Sequence, residues 1–210
     1  MLFKDERELI SKRISPQLKK ANYNVRIGVR VRSLHSKLTT ENSLSDKELE
    51  IEHPLNPDID ILCWNKNYIG EPILNAVEVK YFRYDKNKMI MPSIYDGLGE
   101  AILLCTYGVD YVHLWHFFDP EIPPSEFNKY QNILKSCMKI IDTITYKCEF
   151  ISEPIRGASE IQKTAMEALD VIELIEYNKK LNRLKYDENA KIIRAIIKMG
   201  YRIINKEYIR

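Results

Sequence analysis

The chain has 210 residues and a formal net charge of +2, with 45% hydrophobic and 30% charged residues. This length suits one domain with an appendage or two small domains, and the apolar content is enough for a real core. No run of 18 apolar residues occurs, so no transmembrane helix and no membrane partner are expected. The charged start, MLFKDERELISKR, is unlike a signal peptide, and a cytoplasmic location is expected.

Four cysteines lie at positions 63, 105, 137 and 148. They form no C-x-x-C pair, and no Cys/His spacing is typical of a zinc site. Cys63 and Cys105 fall within apolar runs and are predicted to be core residues. A reduced, cytosolic protein is the simplest interpretation.

The first third of the chain predicts a helix and a strand. Residues 3–20 carry apolar side chains at helical spacing, and Pro16 indicates a break or kink near Ser15. Residues 24–34 alternate valine and isoleucine with arginine, which predicts a half-exposed strand with a basic outer face. Residues 36–50 are predicted to be a polar connection that includes a helical turn.

The central part predicts two strands, a helix and a further strand. Residues 58–64 and 73–82 are the two strands, separated by a turn region. The stretch SIYDGLGEAILLCTYG, from Ser93 to Gly108, predicts a helix with a capping box at its start and a glycine stop. Residues 110–118, DYVHLWHFF, predict the next strand.

The last third is predicted to be mostly helical. We expect a helix over about 125–141 and then a strand at 145–151. A long helix is predicted from Ser159 to about Lys185, and a shorter one over 189–199. Apolar residues of the long helix could form a dimer interface; they are Ile161, Ala165, Ala168, Leu169, Ile172 and Ile175.

The predicted order is helix, strand, strand, strand, helix, strand, followed by a mostly helical tail. This order indicates an α/β fold with a mixed central sheet flanked by helices. We predict a core domain over residues 1–120. Residues 121–210 are predicted to be a helical extension, packed on the core or at a dimer interface.

Charged side chains interrupt the two central strands. Asp58 and Asp60 are two residues apart and so share a strand face, as do Glu78 and Lys80. If the two strands are neighbours, the acids converge on one point. Carboxylate oxygens are the ligands that Mg²⁺ prefers, and a lysine beside the ion can orient water or stabilise charge on a phosphate. The alternative is a solvent-facing end of the sheet.

These residues resemble the signature of the PD-(D/E)XK nuclease superfamily: Pro57-Asp58 or Asp60, then Glu78-Val79-Lys80. The resemblance covers about residues 3–118 and is closest to archaeal Holliday-junction resolvases and related virus-encoded or RecB-like nucleases. It implies a restriction-endonuclease-like αβββαβ core. If the protein is virus-encoded, its location would be the host cytoplasm.

The resemblance implies specific roles at the site. Asp60, Glu78 and the backbone carbonyl of Val79 would hold Mg²⁺, with Mn²⁺ as substitute, and Lys80 would position the attacking water. Asp58 remains an alternative to Asp60, because the literal PD dipeptide includes it. The sequence ERELIS is similar to the family's leading-helix motif, so Glu6 would assist metal binding, with Glu8 the second choice.

One position departs from the RecB-like subgroup. That subgroup carries a glutamine in the helix after the E-x-K strand, with a tyrosine one turn later. This chain has Glu100 there, and Tyr107 is spaced differently. Glu100 either faces the site as a supporting residue or is a solvated helix residue.

Basic residues are segregated along the chain. Residues 11–40 contain no acid, and residues 179–210 carry ten lysines or arginines against three acids. Such stretches form either a phosphate-attracting surface or ordinary solvated faces. The candidate DNA-contacting residues are Arg26, Arg30, Arg32, Lys37, Lys191, Arg194 and Lys198. The apolar face of the 189–199 helix is expected to pack on the core or on a second subunit.

The pair His113 and His116 does not predict a metal site. An odd spacing on a strand places the two side chains on opposite faces, so core or edge histidines are expected. No fingerprint of an organic cofactor site appears, and none is expected.

The resemblance implies a metal-dependent DNA endonuclease that hydrolyses phosphodiester bonds, with a possible role in resolving junctions, recombination or repair. A homodimer suits this function, because cutting two strands needs two active sites. One alternative is a DNA-binding or recombination-accessory protein that keeps the fold without catalysis. Another is a metal-dependent hydrolase acting on a different substrate.

Overall fold

A five-stranded mixed sheet organises the protein. The computed structural model describes residues 3–51, 55–83, 96–139, 141–151, 173–176 and 179–203. The strands, in their order across the sheet, are β1 (Asn24–Val29), β2 (Ile59–Lys66), β3 (Pro72–Phe82), β4 (Tyr111–Phe118) and β5 (Ile144–Phe150). The pairings β1–β2 and β2–β3 are antiparallel, whereas β3–β4 and β4–β5 are parallel.

Helices flank both faces of the sheet, which confirms the predicted α/β class. They are α1 (Glu6–Leu9), a π-helical turn (Ile10–Ile14), α2 (Ser15–Lys20), α3 (Val31–Thr40), α4 (Asp46–Leu49), α5 (Leu98–Leu104), a 3₁₀ turn (Cys105–Tyr107), α6 (Pro124–Met138), a second 3₁₀ turn (Arg183–Tyr186) and α7 (Glu188–Gly200). In the described ranges, none of these helices has the length and apolar character needed to cross a membrane.

Alternation along the strands divides the core into two layers. One layer packs the α1–α2 segment against the sheet through Leu9, Ile14, Val77, Val79 and Trp115, among others. The other layer buries α5 and α7 against the opposite face, on which Leu74, Ala76 and Leu114 lie. Cys63 belongs to the first layer and Cys105 to the second, so both are core residues, as predicted.

The first helix is irregular next to Ser15, where a break or kink was predicted, but the chain stays helical there. The backbone remains helical through Pro16, and Ile10–Ile14 widens into a π-helical turn. Proline has no N–H to donate to the carbonyl four residues earlier, and the N–H of Ser15 donates to Ile10, five residues earlier. The wider turn accommodates Pro16 while Leu9, Ile14 and Leu18 remain buried.

The predicted strand over 24–34 is wrong beyond Val29. Gly28 has φ +62°, Arg30 is the N-cap, and α3 begins at Val31. Val31 and Leu38 are seven residues apart, and this spacing also satisfies a helix that buries both. The predicted polar connection over 36–50 contains the end of α3 and all of α4.

The helix that precedes β4 is shorter than predicted. It begins at Leu98, after Gly97 with φ +75°, and ends in the 3₁₀ turn before Gly108. Gly108 has φ +69°, so the predicted glycine stop is confirmed. Ser93, the predicted cap, lies outside the described residues.

The described part of residues 121–210 is joined to the central sheet. Helix α6 and strand β5 are close to their predicted positions, and β5 extends the sheet formed by the first four strands. Helix α7 packs on the core through Ile193, Ile196 and Ile197, as expected for its apolar face. The boundary at residue 120 stays a prediction.

The predicted long helix over 159–185 is wrong at its C-terminal end. Residues 173–176 are helical, but 179–182 are not, and a 3₁₀ turn follows. Asn182 is fully buried and donates to the carbonyls of Cys105 and Val109, which requires an irregular backbone here. Of the proposed dimer-interface residues, only Ile175 is described, and its side chain is buried.

Gly108 and Gly70 provide a matched pair for a stability test. Both have positive φ, but a Cβ on Gly108 would lie 2.1 Å from the carbonyl oxygen of Ala190, whereas a Cβ on Gly70 would meet nothing within 4 Å. We expect Gly70→Ala to cost about 1 kcal/mol from backbone strain and Gly108→Ala about 3 kcal/mol or more from strain plus overlap with α7. Urea unfolding of both variants measures this. Equal losses would contradict the close contact between Gly108 and α7.

Candidate active site

The site forms where β2 and β3 diverge. Their pairing begins with Ile61 opposite Val77, so Asp60 lies just outside the ladder. A carboxylate oxygen of Asp60 accepts the N–H of Val79 at 2.9 Å, in the place of a strand carbonyl. The divergence therefore brings Asp60 beside the part of β3 that carries Glu78 and Lys80.

Lys80 lies between two carboxylates. Its Nζ is 2.6 Å from Oε1 of Glu78 and 3.0 Å from Oε2 of Glu100. Glu78 and Lys80 share the sheet face that α5 covers, and α5 presents Glu100 toward them. The side chain of Glu78 is 3% exposed, whereas that of Glu100 is 46% exposed, so the cluster extends from the core to the surface. Glu100 therefore contacts Lys80 while its side chain remains partly in solvent, and a supporting role at the site stays a prediction.

Burial and mutual repulsion perturb the acids. Burial and the nearby charge of Asp60 raise the pKa of Glu78 to about 9, and a hydrogen bond with Glu100 also raises it. Burial raises the pKa of Asp60 as well, although the N–H of Val79 and the charge of Lys80 oppose this. At neutral pH, Glu78 is therefore protonated. Its carboxylic O–H can donate a hydrogen bond to the ionised carboxylate of Glu100.

The two partners of Glu78 have pKa shifts that favour their charged forms. For Glu100, burial acts to raise the pKa, but hydrogen bonds with Glu78 and Lys80 outweigh it and lower the pKa. For Lys80, burial acts to lower the pKa, but the hydrogen bonds with Glu78 and Glu100 raise it. Lys80 is thus a cation, and Glu100 an anion, at neutral pH.

Of the two glutamates in the first helix, Glu6 belongs to the cluster and Glu8 does not. Glu6 accepts the N–H of Tyr81 at 3.4 Å, and burial raises its pKa, with smaller effects from Lys80, Asp60 and Glu100. Glu8 lies on the solvent side of α1, where it pairs with Lys12 at 2.5 Å.

Asp58 lies at the margin of the site. Its side chain is 45% exposed and accepts from Nε of Arg30 at 2.9 Å. Pro57, the residue before Asp58, is fixed by a hydrogen bond: the hydroxyl of Tyr107 donates to its carbonyl at 2.9 Å. Asp60 is more buried and its charge acts on Glu78, so it is the better-placed of the two candidate ligands.

The donor atoms suit a hard divalent cation. Asp60 and Glu78 present carboxylate oxygens on one sheet face, and a cation bound there would offset the burial that raises the pKa of both. Within the described ranges, however, no group of three or more His, Cys, Asp or Glu side chains is arranged to hold a metal ion. The ammonium of Lys80 is the cation that Glu78 and Glu100 contact here.

The candidate DNA-contacting residues are not gathered in one place. On the first segment, Arg30 pairs with Asp58, and Arg32 is exposed at the start of α3. Arg26 stacks over the ring of Tyr201, and Lys37 lies 3.8 Å from Glu41. Since β1 ends beside the start of β2, Arg30 is near the acidic cluster.

The three basic residues of α7 have different surroundings. Lys191 pairs with Glu188 at 2.9 Å on the exposed face. The guanidinium of Arg194 donates to the carbonyl of Gly108 and to Asp110, at the end of the sheet opposite the acidic cluster. Lys198 is half-buried near the C-terminus of the helix. Arg194 therefore has a structural role in fastening α7 to the sheet.

The two histidines are buried core residues, as predicted. His113 and His116 both lie on β4 and are at most 1% exposed. His113 contacts Asn75 and Trp115, whereas His116 contacts Tyr130 and Tyr146 on the other face. The sequence did not reveal that His116 neighbours Lys80 in the parallel register of β3 and β4.

Comparison with known proteins adds no identification. No protein-family model matches the chain, and neither curated proteins nor solved structures include a match. The function must therefore be argued from the geometry of the chain itself.

The raised pKa of Glu78 predicts a pH-dependent stability difference. Because the folded state holds the Glu78 proton up to about pH 9, and the unfolded chain releases it near 4.5, the stability from this proton is complete below about pH 4.5 and is lost as the pH rises toward 9. Gln at this position stays neutral. We expect Glu78→Gln to raise the free energy of unfolding on the order of 2 kcal/mol at pH 8, and by nothing at pH 4.

The measurement is urea unfolding at pH 4, 6 and 8 in the presence of EDTA. Glu50→Gln, at an exposed position, is the control and should show no such trend. A Glu78→Gln variant less stable than the wild type at pH 8 would mean that the pair with Lys80 outweighs the cost of burial.

Proposed function

We propose that the protein is a metal-dependent DNA endonuclease of the PD-(D/E)XK type, which hydrolyses phosphodiester bonds. The observation that carries the proposal is the convergence of Asp60, Glu78 and Lys80 at the divergence of β2 and β3, with Glu6 and Glu100 beside them. Buried acids that repel one another are costly to stability, which is typical of functional sites rather than of structural ones.

The fold is consistent with this assignment. The first helix, β1, β2, β3, α5 and β4 follow one another in the order of the αβββαβ unit that the resemblance implies. Helices α3 and α4 are additions between β1 and β2. A restriction-endonuclease-like core would place its acids at this same pair of strands, and this agreement supports the proposal.

The cation proposed for the site is Mg²⁺, with Mn²⁺ as substitute. Asp60 and Glu78 would hold it, with the carbonyl of Val79 as a third ligand and Asp58 or Glu6 in support. When bound, it would supply a Lewis acid for the phosphate and a lowered pKa for a coordinated water. It would also add positive charge beside the buried carboxylates, so Glu78 would release its proton on loading.

Lys80 has a role that follows from its charge. A lysine with a raised pKa remains protonated at neutral pH and is not suited to remove a proton. Its ammonium instead donates hydrogen bonds, which can orient a water molecule and stabilise negative charge growing on a phosphate. Glu100 holds Lys80 from the solvent side, and its ionised carboxylate is the group available to accept a proton there.

DNA is the proposed partner, and the basic residues nearest the site are the proposed phosphate contacts. Arg30 and Arg32 lie where β1 passes into α3, at the same end of the sheet as Asp58 and Asp60. Phosphate contacts of this kind position the substrate without reading its sequence. A homodimer, a cytoplasmic location and a preference for branched DNA are proposed on the resemblance.

A second candidate is a DNA-binding protein that keeps this fold without cutting. The observation in its favour is that Lys80 already pairs with Glu78 and Glu100, while the described residues include no pre-arranged metal group. In that case the lysine would permanently neutralise the carboxylates. DNA binding that needs no divalent ion would be expected.

Cleavage assays distinguish the two candidates. We expect the wild type to cut labelled duplex or four-way-junction DNA in Mg²⁺ or Mn²⁺. Asp60→Asn should lower kcat at least about 100-fold, because it removes one of the two charged ligands. Asp58→Asn is the matched control: its side chain is half-exposed and paired with Arg30, so a loss of less than about tenfold is expected.

The outcomes separate clearly. Loss of cutting in Asp58→Asn with full activity in Asp60→Asn would assign the ligand to Asp58 instead. A wild type that binds DNA but does not cut it in either metal would contradict the enzyme proposal and favour the second candidate.

A further inference from the structure

A buried histidine connects the candidate site to the last strand and to α6. Nε2 of His116 lies 3.1 Å from the carbonyl of Asp96, just before α5. Nδ1 of the same ring lies 3.2 Å from the hydroxyls of Tyr130 in α6 and of Tyr146 in β5. His116 itself neighbours Lys80 across the β3–β4 pairing. His116 on β4 thus lies against β3, β5, α6 and the segment before α5.

The partners of the ring define its tautomer. A carbonyl oxygen only accepts hydrogen bonds, so Nε2 must carry the hydrogen and donate to Asp96. Nδ1 is then an acceptor with a single lone pair, and the hydroxyls of Tyr130 and Tyr146 share it as donors. Burial lowers the pKa of His116 to about 4, so the imidazole is neutral at physiological pH, as this arrangement requires.

The segment that His116 contacts, Asp96–Gly97, lies directly against the candidate catalytic residues. Gly97 follows Asp96 and has φ +75°. A Cβ at this position would lie 3.0 Å from Cε of Lys80 and 3.1 Å from Cγ of Glu78. The backbone of Gly97 is therefore one wall of the site, and only a glycine fits without displacing the two side chains.

The same segment begins the helix that carries Glu100. The carbonyl of Gly97 accepts the N–H of Ala101 at 2.8 Å, which fixes the first turn of α5. Glu100 lies in that turn and contacts Lys80 at 3.0 Å. A shift of the Asp96–Gly97 backbone would therefore have two effects at once. It would move Glu100, and it would open space beside Glu78.

We propose that His116 is a positioning residue of this site: by holding the Asp96 carbonyl, it fixes Gly97 against Glu78 and Lys80 and sets where α5 presents Glu100. This inference rests on the proposed endonuclease function and deepens it. Tyr130 and Tyr146 orient the imidazole, so the catalytic arrangement depends on α6 and β5. A chain cut at residue 120 would lack both tyrosines.

The test compares His116→Phe with His116→Gln. The glutamine amide can donate to the Asp96 carbonyl as Nε2 does, whereas phenylalanine keeps the ring volume without a donor. For His116→Phe we expect a 10- to 100-fold lower kcat, as is typical when the support of a metal site is removed, with KM for DNA within about twofold. His116→Gln should retain kcat within about fivefold of the wild type. Calorimetric titration with Mg²⁺ provides a readout independent of cleavage, in which only His116→Phe should bind more weakly.

A milder variant covers the case in which His116→Phe does not fold. Tyr146→Phe removes one hydroxyl that donates to Nδ1 and should lower kcat about threefold without changing KM. Equal kcat in the wild type and all three variants would overturn the inference and leave the endonuclease proposal intact. Equal losses in His116→Gln and His116→Phe would overturn it too, because they would indicate a role in packing alone.

The wild type tests the proposed function separately. If it cuts no DNA, that function fails on this result, and the role of His116 is decided by Mg²⁺ affinity. Weaker binding by His116→Phe than by His116→Gln would support positioning of the carboxylates, and equal affinity would contradict it.

Discussion

The burial of Asp60 and Glu78 side by side is the constraint on which the rest of the site depends. Two carboxylates in a poorly hydrated place cannot both be ionised at little cost. Three groups reduce this cost: a proton on Glu78, the N–H of Val79 and the ammonium of Lys80. A bound cation would reduce the same cost in place of these groups. The cluster is therefore suited to metal-dependent chemistry.

The sheet creates that constraint. The antiparallel strands β2 and β3 separate beyond the pair Ile61–Val77, which leaves N–H groups of β3 without a partner in β2. Asp60 accepts a hydrogen bond from one of them, the N–H of Val79. The parallel neighbour β4 supports the same stretch of β3 from the other side, with His116 beside Lys80. Antiparallel pairing on one side and parallel pairing on the other thus concentrate polar groups at a single point.

Much of this could be predicted from the sequence, because period-two patterns and charge interruptions are local signals. The strands around Asp60 and Glu78 lie within two residues of their predicted bounds. The shared face of Glu78 and Lys80 follows from strand geometry alone. The convergence of both strands on Asp60 needed only the assumption that they are neighbours, which the register supports.

The remainder depends on contacts that are distant in sequence or on patterns that fit two structures. Val31 continues the alternation of Val25, Ile27 and Val29 but also fits a helix with Leu38, so Gly28 and the N-cap at Arg30 decided the structure there. Asn182 interrupts a helical pattern because its amide bonds to carbonyls more than 70 residues away. The position of His116 beside Lys80 required the parallel register, which no local pattern gives.

The most direct test of the account is whether the cluster exchanges a proton for a divalent cation. Calorimetric titration of the metal-free protein with Mn²⁺ at pH 7, in two buffers of different ionisation enthalpy, measures both binding and proton release. The account predicts one site per chain and release of close to one proton, with both lost in Asp60→Asn. Binding without proton release, or no binding to the wild type, would contradict it.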